Sequence, residues 1–113
     1  MSAKRRVVIT GLGMVGPVGL TVKESWANIL AGNSGIGPIT HFDVAAFPVR
    51  IGGSVWNFDP TQYIPAKDVK KMDPFIHYGI AAAKEAIADA GLEVTEENAE
   101  RIGVAIGSGI GGL

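Results

Sequence analysis

Two apolar runs without polar alternation stand near the two ends of the sequence. The first is Arg6–Thr10, which leads into a glycine-rich turn, and the second is Ile102–Ile106, which leads into Gly107–Leu113. Apolar runs of this kind are typical of central strands in a sheet whose two faces are both covered by other elements. The pattern predicts two central strands. Since the elements that cover the second strand would have to follow it, we expect the chain to be the opening piece of a longer enzyme.

Helical periodicity predicts a first helix shortly after the first run. Thr21 offers an N-cap, Glu24 completes a capping box, and Gly32 marks the end. Residues 33–65 are rich in Gly, Pro, Asp and Ser, which indicates a long irregular excursion. Short extended segments are expected there at residues 49–51 and 54–56.

A longer helix is predicted between Asp73 as N-cap, with Pro74 in the first turn, and Gly91 as the C-terminal stop. Its wide apolar stripe suggests that it is mostly buried. Residues 92–101 are acidic and read as a connector, in which Thr95 could cap a short helix. The order strand, helix, irregular segment, helix, short helix, strand indicates an α/β layered architecture.

Composition and charge exclude several classes of function. The net charge of −1 predicts no nucleic-acid partner, and no stretch resembles a signal peptide or a membrane span, so a cytoplasmic protein is expected. The sequence has no cysteine, which excludes disulfides, thiolate metal sites and a cysteine nucleophile from these 113 residues.

The segment Gly11-Leu12-Gly13-Met14-Val15-Gly16 matches the dinucleotide-binding fingerprint. We interpret it as a packing turn, because Pro17-Val18-Gly19 separates it from the helix signals that begin at Thr21. The expected ribose-binding acid is also missing. An NAD(P)-binding oxidoreductase fragment using Gly11, Gly13 and Gly16 remains one alternative, and a non-catalytic scaffold is another.

The remaining candidate side chains for chemistry are His41, His77 and Ser108. Neither histidine has a cysteine or a second histidine near it in sequence, so structural roles are expected for both. Ser108 lies between two glycines without the strand-to-helix elbow of a nucleophile, and we expect it to permit a tight turn.

Four blocks together resemble the β-ketoacyl-acyl-carrier-protein synthases, specifically their type II elongating enzymes, with modular polyketide ketosynthases as a nearby alternative. The blocks are Arg5–Met14 with Pro17-Val18-Gly19, Leu30–Ile36, Lys71-Met72-Asp73, and Arg101–Leu113. They occur in the family's order and span the whole chain. The type II assignment depends mainly on Gly107–Leu113.

The resemblance implies a thiolase-like α/β fold of α-β-α-β-α layers, with residues 1–113 forming only the beginning of the first half and containing no internal domain boundary. It implies fatty-acid chain elongation by decarboxylative condensation of an acyl thioester with malonyl-acyl-carrier protein, in a homodimer that uses no metal or dissociable cofactor. The family's catalytic cysteine and two histidines do not fall within these residues. The chain by itself is therefore expected to be inactive.

Two local features match functional regions of the family. Lys67, Lys70 and Lys71 correspond to a basic patch that meets the acidic recognition helix of acyl carrier protein, although Asp68 would weaken its field. Ile110 corresponds to an apolar residue at the acyl pocket near the dimer interface. A solvated helix start and an ordinary core isoleucine are the respective structural alternatives.

Overall fold

The computed structural model describes residues 3–113. Most of the described residues are irregular, three α-helices supply most of the regular structure, and two three-residue strands pair as a small antiparallel hairpin. In chain order the elements are α1 Val22–Leu30, β1 Ile36–Pro38, β2 Ile51–Gly53, a 3₁₀ turn Pro60–Gln62, α2 Ala66–Val69, α3 Pro74–Ala90 and a 3₁₀ turn Ala99–Arg101.

Helix α1 begins where its capping residues predict. The Thr21 hydroxyl accepts a hydrogen bond from the Glu24 amide at 3.1 Å, which satisfies one of the free donors of the first turn. The Glu24 carboxylate accepts from the amide of Leu20 at 3.2 Å, one residue before the cap. The prediction of this helix is confirmed, with the capping box displaced by one residue.

Helix α3 has the predicted bounds. Pro74 lies in its first turn, and Gly91 ends it in the left-handed conformation at φ 62°. The expectation that the helix is mostly buried is wrong within residues 3–113, because His77 and Ala81 are its buried residues while Phe75 and Ile87 remain exposed. The described segments pack against only part of its surface, so much of the apolar stripe faces outward.

The excursion after α1 is more ordered than predicted. Strand β1 pairs with β2 in the register Ile36↔Gly53 and Pro38↔Ile51. The extended segment expected at residues 49–51 overlaps β2, but the one expected at residues 54–56 is wrong. The chain turns at Trp56, whose indole donates to the Gly35 carbonyl at 2.9 Å.

Two short helical elements within or beside the excursion, the 3₁₀ turn Pro60–Gln62 and α2, were not predicted. The short helix expected from Thr95 is a 3₁₀ turn that begins later, at Ala99. Here Asn98, not Thr95, organises the turn, because its side-chain oxygen accepts from the Thr95 amide at 2.7 Å.

The two predicted central strands do not form within residues 3–113. Val7 and Ile9 are 94% and 81% exposed, and Val104 is 80% exposed. A strand needs a hydrogen-bonded neighbour, and no described segment pairs with residues 6–10 or 102–106. Their apolar pattern therefore marks surface that nothing in residues 3–113 covers.

The chain is much more open than a self-contained domain of its size. Its accessible surface is 9284 Å², against about 5,900 Å² for a folded monomer of this mass. Its radius of gyration is 17.8 Å, against about 13 Å for a compact domain. Among the described residues, the buried apolar side chains are Ile64 and Ala81.

None of the helices among residues 3–113 has both the length and the hydropathy needed to traverse a bilayer.

Candidate functional site

Helix α3 is the common support of three features singled out from the sequence. We call them the glycine crossing, Gly11–Gly13; the lysine patch, Lys67, Lys70 and Lys71; and the Ile110 turn, Gly109–Gly112. The first packs along the C-terminal half of α3, and the other two lie near its N-terminal half.

The glycine crossing is a close contact between backbones. A Cβ atom on Gly13 would lie 1.8 Å from the Ala82 carbonyl oxygen, and one on Gly11 would lie 2.3 Å from that of Ala86. Only residues without a side chain fit there. The crossing does not open a helix, since α1 begins at Val22. The packing interpretation is confirmed for Gly11 and Gly13, which face the backbone of α3, whereas a Cβ on Gly16 would meet no described residue within 4 Å.

Two carboxylates of α3 hold the glycine crossing and the segment that follows it. Asp89 accepts from the Leu12 amide at 2.9 Å. Glu85 accepts from the amides of Met14 at 2.9 Å and Val22 at 2.8 Å, one on each of its oxygens. Because Val22 is the first residue of α1, Glu85 also supplies an acceptor and negative charge at the start of that helix. These side chains act as structural anchors.

The lysine patch lies on and immediately after α2. Lys67 is within the helix, Lys70 is its C-cap, and all three lysines are exposed. Lys71 Nζ lies 3.1 Å from the Asp68 carboxylate, which offsets part of its charge. Among residues 3–113, no carboxylate lies within salt-bridge distance of Lys67 or Lys70. The patch therefore presents its least compensated charge at these two positions.

Side chains of α3 fix the segment that carries the patch. His77 Nε2 lies 3.0 Å from the carbonyl oxygen of Val69, the last residue of α2. Since a carbonyl oxygen can only accept, Nε2 carries the hydrogen. Further along the same helix, Lys84 donates to the carbonyl of Tyr63. The expected structural role of His77 is confirmed.

An aromatic cluster supports the same segment. Phe58 stacks on Tyr63 with ring centroids 5.8 Å apart and meets the ring of Tyr78 edge-on at 5.1 Å. The 3₁₀ turn next to this cluster is capped by Asp59. The pKa of the Asp59 carboxyl is lowered because the hydroxyl and then the amide of Thr61 donate to its charged form. This carboxylate serves as a cap for the turn.

The Ile110 turn crosses the first turn of α3. Gly111 is left-handed at φ 72°, and a Cβ there would lie 3.2 Å from the ring of Phe75. A Cβ on Gly112 would lie 1.8 Å from an Asp73 carboxylate oxygen. Asp73 occupies the predicted N-cap position, but its side chain makes no capping hydrogen bond to α3. Its carboxylate lies against the turn, and Ile110 is 78% exposed.

A groove of about 490 Å³ separates the first half of α3 from the segment before the Ile110 turn. Its walls are mainly apolar, and it ends at Ser108, close in sequence to Ile110. The lining residues are Phe75, Ile76, Tyr78, Gly79, Ile80, Ile106, Gly107 and Ser108.

The other candidate residues form no reactive cluster. His41 is exposed, and its ring contacts Phe42 edge-on at 4.9 Å, while Ser108 is exposed on the groove. Within residues 3–113, no three His, Asp or Glu side chains converge on a possible metal position.

Sequence reasoning missed the anchors Glu85 and Asp89. Their signal was available as spacing, since the two acids lie four residues apart on α3. Ala82, Ala86 and Ala90 repeat with the same spacing beside them. The small alanine side chains let another backbone segment approach α3 closely, and the neighbouring carboxylates can accept hydrogen bonds from its amides.

Comparison with known proteins gives consistent matches. Residues 4–113 match the family model of the β-ketoacyl synthase, N-terminal domain. The chain is 62% identical to 3-oxoacyl-(acyl-carrier-protein) synthase 2 of Vibrio cholerae serotype O1 and 60% identical to the protein of that name from Vibrio harveyi, each over 111 residues. Both alignments cover 98% of this chain and 27% of the relative.

A solved structure, the ishigamide ketosynthase/chain length factor, is similar to the chain with a TM-score of 0.72 and 39% sequence identity. The match covers 85% of this chain and 23% of that chain. The present chain thus spans about a quarter of the length of the proteins it matches.

Proposed function

This chain belongs to the β-ketoacyl synthase family through the N-terminal domain that residues 4–113 match, and on that premise we propose that it supplies the N-terminal part of a condensing enzyme. The proposed reaction is fatty-acid chain elongation, a decarboxylative condensation of an acyl thioester with malonyl-acyl-carrier protein. Residues 1–113 form one incomplete domain of that enzyme, without an internal boundary. We refer to a full-length enzyme carrying this segment as the complete synthase.

The segment's role in the complete synthase is to bind and to support. With no cysteine in the sequence, the acyl-accepting thiolate has to come from elsewhere in the enzyme. The observation that carries the proposal is that α3 supports both an exposed lysine patch and the Ile110 turn. One surface is suited to a charged carrier, and the other is suited to the apolar chain that the carrier delivers.

The lysine patch is the proposed docking surface for acyl carrier protein. Lys67 and Lys70 are exposed and have no carboxylate partner within residues 3–113. Complementary charges steer two proteins into encounter and increase the association rate. Asp68 offsets part of the charge of Lys71, so Lys67 and Lys70 contribute most of the attraction to an acidic surface.

Ile110 is the proposed wall of the acyl pocket. Its side chain projects from a turn whose glycines lie against Phe75 and Asp73, so the backbone position is fixed while the side chain is exposed. The apolar groove beside α3 is lined as far as Ser108, two residues before Ile110. Apolar lining of this kind suits the alkyl part of an acyl thioester.

The complete synthase is proposed to be a cytoplasmic homodimer without a metal or dissociable cofactor and without a nucleic-acid partner. For residues 1–113 the net charge of −1 supports the last point, because nucleic-acid binding needs a strong positive surface.

Charge reversal of Lys67, Lys70 and Lys71 to Glu in the complete synthase tests the proposal. We expect kcat/KM with acyl-carrier protein at low salt to fall about tenfold or more, because the steering field is reversed. The salt dependence should also flatten or change sign, since the Debye length is only about 10 Å at 0.1 M salt.

Two controls accompany this experiment. Acyl transfer from a small thioester should stay unchanged, because that substrate carries no acidic protein surface. Reversal of Lys23, an exposed lysine on α1 outside the patch, should leave the carrier-protein kinetics unchanged. Unchanged low-salt kinetics in the triple variant would identify the patch as an ordinary solvated face.

A further inference from the structure

We propose that His77 is a positioning residue for carrier-protein docking, acting through its hydrogen bond to the Val69 carbonyl. The inference rests on the proposed function of the lysine patch and adds to it the side chain that holds the patch in place. His77 itself is 7% exposed and contacts no carrier.

The hydrogen bond lies at the point where α2 ends. Val69 is the last residue of this four-residue helix, and Lys70 is its C-cap. The last carbonyls of a helix have no partner within it. The Val69 carbonyl accepts from His77 Nε2 at 3.0 Å and from the Met72 amide at 3.3 Å. Both donors therefore fix the peptide unit that joins Lys67 to Lys70 and Lys71.

Burial makes this hydrogen bond an effective constraint. Water competes poorly for a donor that is almost fully buried, and Ala81, one turn further along α3, is 1% exposed. A four-residue helix is too short to be stable through its own hydrogen bonds. Contacts with α3 are therefore what can hold α2 in one orientation.

A second anchor lies on the same face of α3. Lys84 follows His77 by seven residues, which is close to two helical turns, and donates to the Tyr63 carbonyl. The segment between Tyr63 and Val69 is thus attached to α3 near both ends. Of the two anchors, His77 is the one beside the lysines, so its loss should release the patch selectively.

Loss of the His77–Val69 hydrogen bond should affect carrier-protein docking and not the chemical step. A patch held in one geometry presents its charges without an ordering cost when the carrier binds, whereas a released patch incurs that cost at each encounter. Loss of the hydrogen bond should raise KM for acyl-carrier protein. It should leave kcat and the kinetics of small thioesters unchanged.

A pair of amide variants in the complete synthase tests this inference. His77→Gln places an N–H near the position of Nε2, whereas His77→Asn carries the same group one methylene short of the Val69 carbonyl. We expect His77→Asn to raise KM for acyl-carrier protein about three- to tenfold, as the loss of one hydrogen bond implies. His77→Gln should restore KM to within about twofold. His77→Leu, which keeps the bulk but removes the donor, should resemble His77→Asn.

The Lys67, Lys70 and Lys71 charge reversal, measured beside these variants, separates failure of this inference from failure of the proposed docking surface. If the triple reversal raises KM and His77→Asn does not, the positioning role is overturned while the docking surface stands. If neither changes KM, both are overturned. Equal losses with carrier-bound and small thioesters, or no difference between His77→Gln and His77→Asn, would make His77 a plain packing residue and also overturn the inference.

Discussion

The surroundings of α3 differ sharply from the two apolar runs at residues 6–10 and 102–106. Around α3, contact partners come from within the described chain. The glycine crossing packs on the α3 backbone, and Glu85, Asp89 and His77 each form a hydrogen bond with a backbone group. The two runs are no less hydrophobic, yet Val7 and Val104 lie at the surface. Hydrophobicity indicates that a segment should be buried, but only a partner in the right place buries it.

The largest expected effect comes from filling the glycine crossing. Gly13→Val in the complete synthase should lower the free energy of unfolding by about 3 kcal/mol, because its Cβ would overlap the Ala82 carbonyl and force the backbones apart. Thermal or urea unfolding measures this. Gly16→Val is the matched control, since a Cβ there meets no atom of residues 3–113 within 4 Å. Similar losses from both substitutions would show that the contact with α3 does not matter.

An intermediate effect is expected at the carboxylate anchors. Glu85→Gln turns one acceptor into a donor that faces an amide, which should cost about 1–3 kcal/mol. Hydrogen exchange should accelerate at the amides of Met14 and Val22.

Asp89→Asn provides the comparison for that variant, because it should loosen Leu12 alone. Faster exchange at Leu12 in the Glu85 variant, without change at Met14, would contradict the assignment of the two anchors.

The smallest effect on stability is expected in the uncovered region. Ile110→Phe should change the unfolding free energy by less than about 0.5 kcal/mol if the side chain stays as exposed as it is here. Under the proposed function it should still lower kcat/KM for long acyl chains relative to short ones, because added bulk narrows an apolar channel.

The ratio of kcat/KM for long and short acyl-carrier proteins decides this prediction, with folding checked separately. A uniform loss across chain lengths, accompanied by destabilisation, would identify Ile110 as an ordinary core residue. Full activity with an unchanged ratio would place it outside the pocket.

The sequence predicted those parts of the fold that local interactions determine. Thr21 with Glu24 and Pro74 with Gly91 define α1 and α3 through contacts a few residues apart, and both helices are confirmed. The thiolase-like fold class, inferred from the family's blocks, is confirmed by the ketosynthase neighbour. Strand pairing was not predictable in the same way, because it depends on neighbours that residues 3–113 do not provide for either apolar run.

The sequence singled out the residues of the candidate site, but it did not predict the contacts that hold them. The lysines and Ile110 stand out by residue type and by resemblance. Three contacts hold these residues: His77 with Val69, Asp73 with Gly112, and Glu85 with the amides of Met14 and Val22. The partners are either distant in sequence or determined by the direction in which a side chain points. No local sequence pattern specifies those partners. The spacing of acids and alanines on α3 indicates only that Glu85 could accept hydrogen bonds from a closely packed backbone.

The Ile110 turn limits which of its own positions can accept a different residue. Gly111 and Gly112 have no room to vary, because one is left-handed against Phe75 and the other lies against Asp73. Position 110 between them and Gly109 carries a side chain that points away from these contacts and is largely free. Natural or directed evolution can therefore exchange this one side chain while the loop that presents it keeps its shape. Under the proposed function, a small library at position 110 would sample new substrate ranges while the glycine contacts hold the loop in place.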